Sequence, residues 1–245
     1  MSYLDHKINI ENKNIMEFIH SLAEGTFLIP AFQRAFVWNP EHIIGLWDSI
    51  YCCYPIGSIL YWKTRTRLNI HRKIGGFFIP IAANTGRKQQ SYILDGQQRA
   101  TSLLVSFQGG GNKVNNDKAF DYTLYFDLTR AEFFFANVRF RHLWEANEAF
   151  LIRLKDVPDL PADFAEQLAK VPGFNDQVRQ NLEQLRYVFA HYDIPLVSLE
   201  GFSMEGVCEV FERMNQTGVR LENLDIIIAR NFKNYATVIE EDFQP

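Results

Sequence analysis

"SYILDGQQRATSLLVSF", residues 91–107, is the stretch on which the fold turns. Tyr92-Ile93-Leu94 is an apolar run of strand character. It stops at Asp95-Gly96, and from Gln97 the apolar residues change to a helical period that reaches Phe107. Gly109 comes next as a stop. The reading is strand, tight turn, helix, with Asp-Gly-Gln-Gln-Arg at the seam. Such a seam suits an anion. The first N–H groups of a helix have no intrahelical partner, and the helix dipole adds about half a positive charge there. Gly96 carries no Cβ to hold a phosphate off the backbone. Gln97 and Gln98 offer side-chain N–H donors, Arg99 offers a planar fork matched to two phosphate oxygens, and Thr101 adds a hydroxyl one turn in. The spacing is neither the P-loop nor the dinucleotide fingerprint. A plainer alternative makes Asp95 the N-cap and Gly96 the turn; it leaves Gln-Gln-Arg as a solvated first turn.

Upstream, Ile15, Phe18, Ile19 and Leu22 share one helical face, with Gly25 as the stop. "TFLIPAFQRAFVW" is short and apolar with Pro30 inside it, which predicts an edge strand or extended segment leading to a loop. Asn39-Pro40-Glu41 carries the N-cap, first-turn proline and acidic residue of a helix start. Ile43, Ile44, Trp47, Ile50 and Tyr51 are its stripe, and Pro55 its expected end. Ile56–Lys63 reads as a strand. "TRTRLNIHRK" reads as a basic loop or solvated edge, and "QGGGNKVNND" as a surface loop. "FDYTLYFDL" and "EFFFANV" predict two strands joined at Thr129–Glu132. Beyond Asp156 the chain turns mostly helical, with Val178, Leu182, Leu185 and Val188 on one face. "IPLVSLEG" is a short strand, "SMEGVCEVFERMNQTG" a helix, and "LENLDIIIARNFKNY" a last helix. The fold class is α+β: residues 1–155 form a mixed-sheet core and residues 156–245 a helical portion completing the same domain.

Composition narrows the function. The 245 residues are 47% hydrophobic with 21 phenylalanines, enough for a sizeable core, and the net charge is −4. A generally basic nucleic-acid surface is excluded, so any polyanion is held by a local patch. Cys52, Cys53 and Cys208 make no disulfide framework and no zinc spacing; buried structural thiols are expected. No apolar run has the ~20 residues that span a bilayer, and the N-terminus lacks a signal-peptide core. A soluble cytoplasmic protein is expected.

Two more stretches put polar groups in apolar surroundings. Gln33 and Arg34 in "IPAFQRAFVW" need partners or an anion, since unpaired burial is costly; a carboxylate partner for Arg34 is the structural alternative. "FERMNQTGVRL" ends a helix with Arg213 and Asn215 near a turn at Gly218, which also fits simple capping.

Together "IPAFQRAFVW", "LWDSIYCCYPIGSILYW", "YILDGQQRATSLL" and "VFERMNQTGVRLENLDI" resemble, in order, the N-terminal domain of the GmrSD-type modification-dependent restriction enzymes, also known as domain of unknown function 262. The likeness runs from about residue 10 to 232. It implies a core similar to the ParB/sulfiredoxin fold and a domain that binds and hydrolyses a nucleoside triphosphate with Mg2+. Carried over, it implies phosphate contacts from Gly96, Gln97, Gln98 and Arg99, with Arg34 a second ligand beside Gln33. Arg213, Asn215 and Gly218 match the family's F-x-R-x-N-x-x-G segment, expected at the same cleft. Arg99 would neutralise charge. Asp95 would hold Mg2+ or its water, or orient the attacking water, unless it is only the N-cap. The implied partners are the nucleotide, modified DNA and an HNH-type nuclease. Many relatives continue into that nuclease. Here His6, His20, His42, His71, His142 and His191 are scattered, so the nuclease is expected on another polypeptide, or the chain is a shortened or stand-alone member.

Two rivals remain. Lys63, Arg65, Arg67, His71, Arg72 and Lys73, with Gly86–Lys88, could form a DNA-binding strip, although basic residues also protect sheet edges. Alternatively the chain is an interaction subunit with a vestigial phosphate site.

Overall fold

A computed structural model describes residues 6–31, 33, 36–68, 70, 73–74, 76–78, 89–112, 120–138 and 147–215. The main sheet has five strands in the order β1-β12-β3-β6-β2. They are β1 (Lys7–Asn14), β2 (Phe27–Leu28), β3 (Ile59–Thr64), β6 (Gln90–Asp95) and β12 (Asp193–Glu200). β12 is antiparallel to β1 and parallel to β3. β3 is antiparallel to β6, and β6 is parallel to β2. The fold is therefore α+β with a mixed sheet, and the mostly helical C-terminal half supplies an inner strand of it. Phe27–Leu28 is the edge strand that Pro30 predicted.

A second sheet sets β9 (Leu124–Asp127) between β10 (Glu132–Phe135) and β11 (Leu151–Arg153), both antiparallel to it. The expected hairpin of β9 and β10 is present. Two further ribbons are β4 (Lys73–Ile74) with β5 (Phe77–Phe78), and β7 (Gly111–Asn112) with β8 (Phe120–Asp121).

The helices are α1 (Ile15–Ala23), α2 (Pro40–Tyr51), α3 (Gln97–Gln108), α4 (Phe164–Leu168), α5 (Asp176–His191) and α6 (Met204–Asn215). Asn39 caps α2 as its sequence suggested, Oδ1 accepting from His42 N at 3.0 Å. Pro55 does not end α2. The helix stops at Tyr51, with Cys53 at a φ of 57°, before the proline is reached.

The core gathers where α2, α3 and α5 meet. Trp47 is fully buried, stacks on Phe189 with centroids 5.7 Å apart, and donates Nε1–H to Ser106 Oγ at 2.7 Å. Tyr51 and Phe126 bring α2 against the second sheet at 4.8 Å. Cys208 is buried, as expected, but Cys52 and Cys53 are exposed. They sit just past the end of α2 on a surface turn, where their neighbours in sequence no longer face the core. No helix among the described residues is long and apolar enough to cross a membrane. Residues 79–88, 113–119 and the predicted last helix lie outside the described residues, as do His71, Arg72 and His142.

Candidate functional site

β6 and α3 meet at a single left-handed residue. Gly96 has φ 85° and ψ 10° and is the N-cap of α3, with no side-chain cap. Asp95 is thus not the N-cap. It is the last residue of β6, and its Oδ2 accepts from Arg99 Nη2 at 3.2 Å. The φ alone favours glycine. A Cβ here would also overlap Ile59 Cδ1 and stand 3.4 Å from Ser58 O. The missing Cβ therefore serves the turn and its contact with β3, rather than leaving open space on that side.

A β-bulge precedes the turn. Leu60 pairs with Asp95 and Tyr61 with Ile93, so Leu94 is an extra residue facing β3. Bulges of this kind bend a strand and re-aim the residues beyond them. On the other edge of β6, β2 reaches only to Tyr92. The Gln33 side chain continues the job: Nε2 donates to Leu94 O at 2.9 Å and to Ile93 O at 3.4 Å. Gln98 Oε1 accepts from Val37 N at 2.9 Å. The two glutamines bind the "IPAFQRAFVW" segment to the "DGQQR" seam from both sides. Arg34, between them in sequence, lies outside the described residues. Gln97 and Gln98 are only 7% and 8% exposed, so the first turn of α3 is not the solvated turn of the plainer alternative.

Arg99 is the hub. Nη1 donates to Ile56 O at 2.6 Å while Nη2 holds Asp95. Its side chain keeps 19% exposure, against 48% for Asp95. The carbonyl belongs to the loop from α2 to β3. That loop is also tied by Tyr192, whose hydroxyl donates to Tyr54 O at 2.7 Å, and by Gln184, whose Nε2 donates to Tyr51 O at 2.8 Å. Gly57, at φ 82°, lies so close that a Cβ would overlap Arg99 Nη1. Ile56 and Gly57 thus belong to the site, whereas the sequence reading placed them in a strand over Ile56–Lys63; the strand begins at Ile59. The signal was "YPIGS", a glycine after a proline between helix and strand.

Two of the remaining candidates, Thr101 and Arg213, have described side chains. Thr101 is buried at 1% exposure on α3. Arg213 pairs with Glu209 one turn back along α6 at 2.5 Å, both exposed. Gly218 lies outside the described residues, as does the side chain of Asn215. No group of three or more His, Cys, Asp and Glu side chains gathers among the described residues. Asp95 alone could serve a Mg2+ ion, which commonly takes one or two protein carboxylates and completes its shell with phosphate oxygens and water. Its partly exposed carboxylate suits that arrangement.

The family described as GmrSD restriction endonuclease, N-terminal domain, matches residues 13–232. An uncharacterized protein of Methanocaldococcus jannaschii is 26% identical over 252 residues. The alignment takes in 93% of this chain and 43% of that protein, so the chain spans less than half of its relative's length.

Proposed function

The chain belongs to the family of GmrSD restriction endonuclease N-terminal domains, and from that premise we propose that it is the nucleotide-binding, triphosphate-hydrolysing regulatory domain of a modification-dependent restriction system. The membership itself points to a DNA-acting restriction or antiphage system. The observation that carries the finer reading is the start of α3: a helix of 12 residues opened by a left-handed glycine, uncapped by any side chain, with the Arg99 guanidinium fixed beside it. Such an end attracts phosphate through its amides and its dipole.

Hydrolysis of a triphosphate asks the protein mainly to position phosphates and offset charge. The α3 amides would take phosphate oxygens. Arg99 would supply charge, held beside the start of α3 by Ile56 O. Asp95 would take a metal-bound water or the attacking water, and binding would compete with its own ion pair to Arg99. A bound Mg2+ would neutralise charge on the phosphate oxygens. Modified DNA and an HNH-type nuclease are the partners of this reading, and a ParB/sulfiredoxin-like core belongs to it.

Thermal shift against a panel of nucleoside triphosphates, with and without Mg2+, tests the proposal. A ligand at about 100 times its Kd should stabilise the fold by about 2.7 kcal/mol. Arg99→Ala should remove the shift. Because Arg99 also braces the fold, Arg99→Lys is the companion variant; it keeps the charge, loses the fork, and should bind about tenfold more weakly in calorimetry. No shift with any nucleotide at about millimolar concentration overturns the reading.

The exposed Arg65 and Arg67 beyond β3 favour a second reading, DNA binding without turnover. Lys63 contributes less to it, being paired with Glu200 at 2.9 Å. Affinity for duplex DNA that falls steeply with salt would support that reading.

A further inference from the structure

β1 ends the main sheet, and among the described residues no strand pairs with its outer side. An edge of eight residues is long, and natural sheets usually shorten, charge or cover such edges. Here Ile8 and Ile10 stand on one face of the strand, 63% and 75% exposed. Lys7, Asn9 and Glu11 alternate onto the other face. Glu11 accepts a hydrogen bond from Tyr61 Oη at 3.0 Å, and Asn9 Nδ2 lies 3.5 Å from Ser198 Oγ. The side chains of that face are thus partly ordered in advance.

The sequence Lys7-Ile8-Asn9-Ile10-Glu11 is self-complementary when read antiparallel about Asn9. We propose that β1 is the interface of a two-fold symmetric dimer of this chain, in which two β1 strands pair antiparallel with Asn9 at the axis. In an isologous contact every pairing occurs twice. This register sets Ile8 against Ile10 of the second copy and Lys7 against its Glu11, and each recurs across the axis. It is the one register in which both isoleucines of each copy meet an isoleucine. Centring on Ile10 places Lys7 against Lys13. Centring between Ile10 and Glu11 places each of those two against the other and Ile8 against Lys13. Apolar and opposite-charge pairs stabilise a ladder, and like charges weaken it. Charge complementarity therefore selects a second copy as the occupant. The pairing would join two sheets into one and cover both isoleucines. β12 and β3 stand between β1 and β6, so the proposal is independent of the nucleotide reading.

Sedimentation velocity from about 1 μM to about 1 mM should show a reversible monomer–dimer equilibrium of the 245-residue chain. Lys7→Glu and Glu11→Lys should each weaken self-association about tenfold or more. Mixed together they should restore it, since each acidic position of one variant then faces a lysine of the other. The register has its own test. In a chain with Cys52→Ser and Cys53→Ser, Asn9→Cys should cross-link under mild oxidation, because paired residues lie about 4.5–5.5 Å apart at Cα. Asn12→Cys should not. Thermal midpoints near that of the parent confirm that each variant is folded; should a charge variant fail to fold, the cysteine pair decides. A parent chain that stays monomeric throughout, charge variants that associate as well as the parent, or equal cross-linking at both cysteine positions overturns the proposal.

Discussion

At the seam of β6 and α3, three polar side chains hold backbone. Arg99 binds Ile56 O and Asp95, Gln33 binds Leu94 O, and Gln98 binds Val37 N. The consequence is sharpest at Gly57. Its φ of 82° is a conformation that side chains resist, and a Cβ there would press on Arg99 Nη1. Gly57→Ala should cost about 2 kcal/mol from backbone strain and displacement of the guanidinium. Urea unfolding checks the cost, and calorimetry with a triphosphate checks the displacement. An alanine variant as stable as the parent would show that the loop moves freely of Arg99. The sequence made Arg99 legible because the guanidinium lies within a local signal. Ile56 O is a backbone atom 43 positions away, and no residue type announces a carbonyl's use. The same blindness explains Asp95. Aspartate before a glycine and a helix suggests a cap, but the left-handed turn at Gly96 carries Asp95 back into the strand and onto Arg99.

Elements that rest on local chemistry were the easiest to foresee. Asn39-Pro40-Glu41 opens α2, and the apolar stripes of α1 and α5 are the buried ones. The strand β1 was not foreseen: its apolar alternation is confined to Ile8 and Ile10, and both of its faces are largely exposed. The bulge at Leu94 escaped for a related reason, since it depends on β3 as well as on β6. Asn14, where β1 passes into α1, shows how one residue can serve two elements. Its Oδ1 caps α1 by accepting from Met16 N at 2.9 Å. Its Nδ2 donates to Phe189 O and Ala190 O, at 3.3 and 3.1 Å, near the end of α5. Among the described residues the Asn39 side chain makes only the capping bond of its helix. Asn39→Ala should therefore cost about 1 kcal/mol and Asn14→Ala about 2 kcal/mol, the second losing bonds to a neighbouring helix as well as a cap. Denaturant midpoints measured side by side decide the order. Equal losses would mean that the α5 carbonyls are as well served by water.

Across the whole molecule, tyrosine hydroxyls stitch the layers together. Tyr61 joins β3 to β1 through Glu11, Tyr51 joins α2 to α5 through Asn181, and Tyr192 joins the end of α5 to the loop that Arg99 braces. Burial pushes the hydroxyls of Tyr51 and Tyr61 up to about 12, helped at Tyr61 by its hydrogen bond to the Glu11 carboxylate. Burial raises Tyr192 as well. A tyrosine in the unfolded chain loses its proton near pH 10. Between about pH 10 and 12 the unfolded state therefore binds fewer protons than the native one, and stability must fall as pH rises. The contribution of these groups is complete below about pH 10 and disappears as the pH passes their native values. Each fully affected hydroxyl lowers the folding equilibrium constant by up to about tenfold per pH unit in that window. Tyr61→Phe should flatten the alkaline limb, at the cost of its bond to Glu11 at lower pH. Urea midpoints at about pH 8, 10 and 11.5, for the parent and the variant, test the linkage. A parent curve flat through that range would mean that these hydroxyls ionise as readily in the folded chain as in the unfolded one, and that the strand order β1-β12-β3 is held by its ladders and core alone.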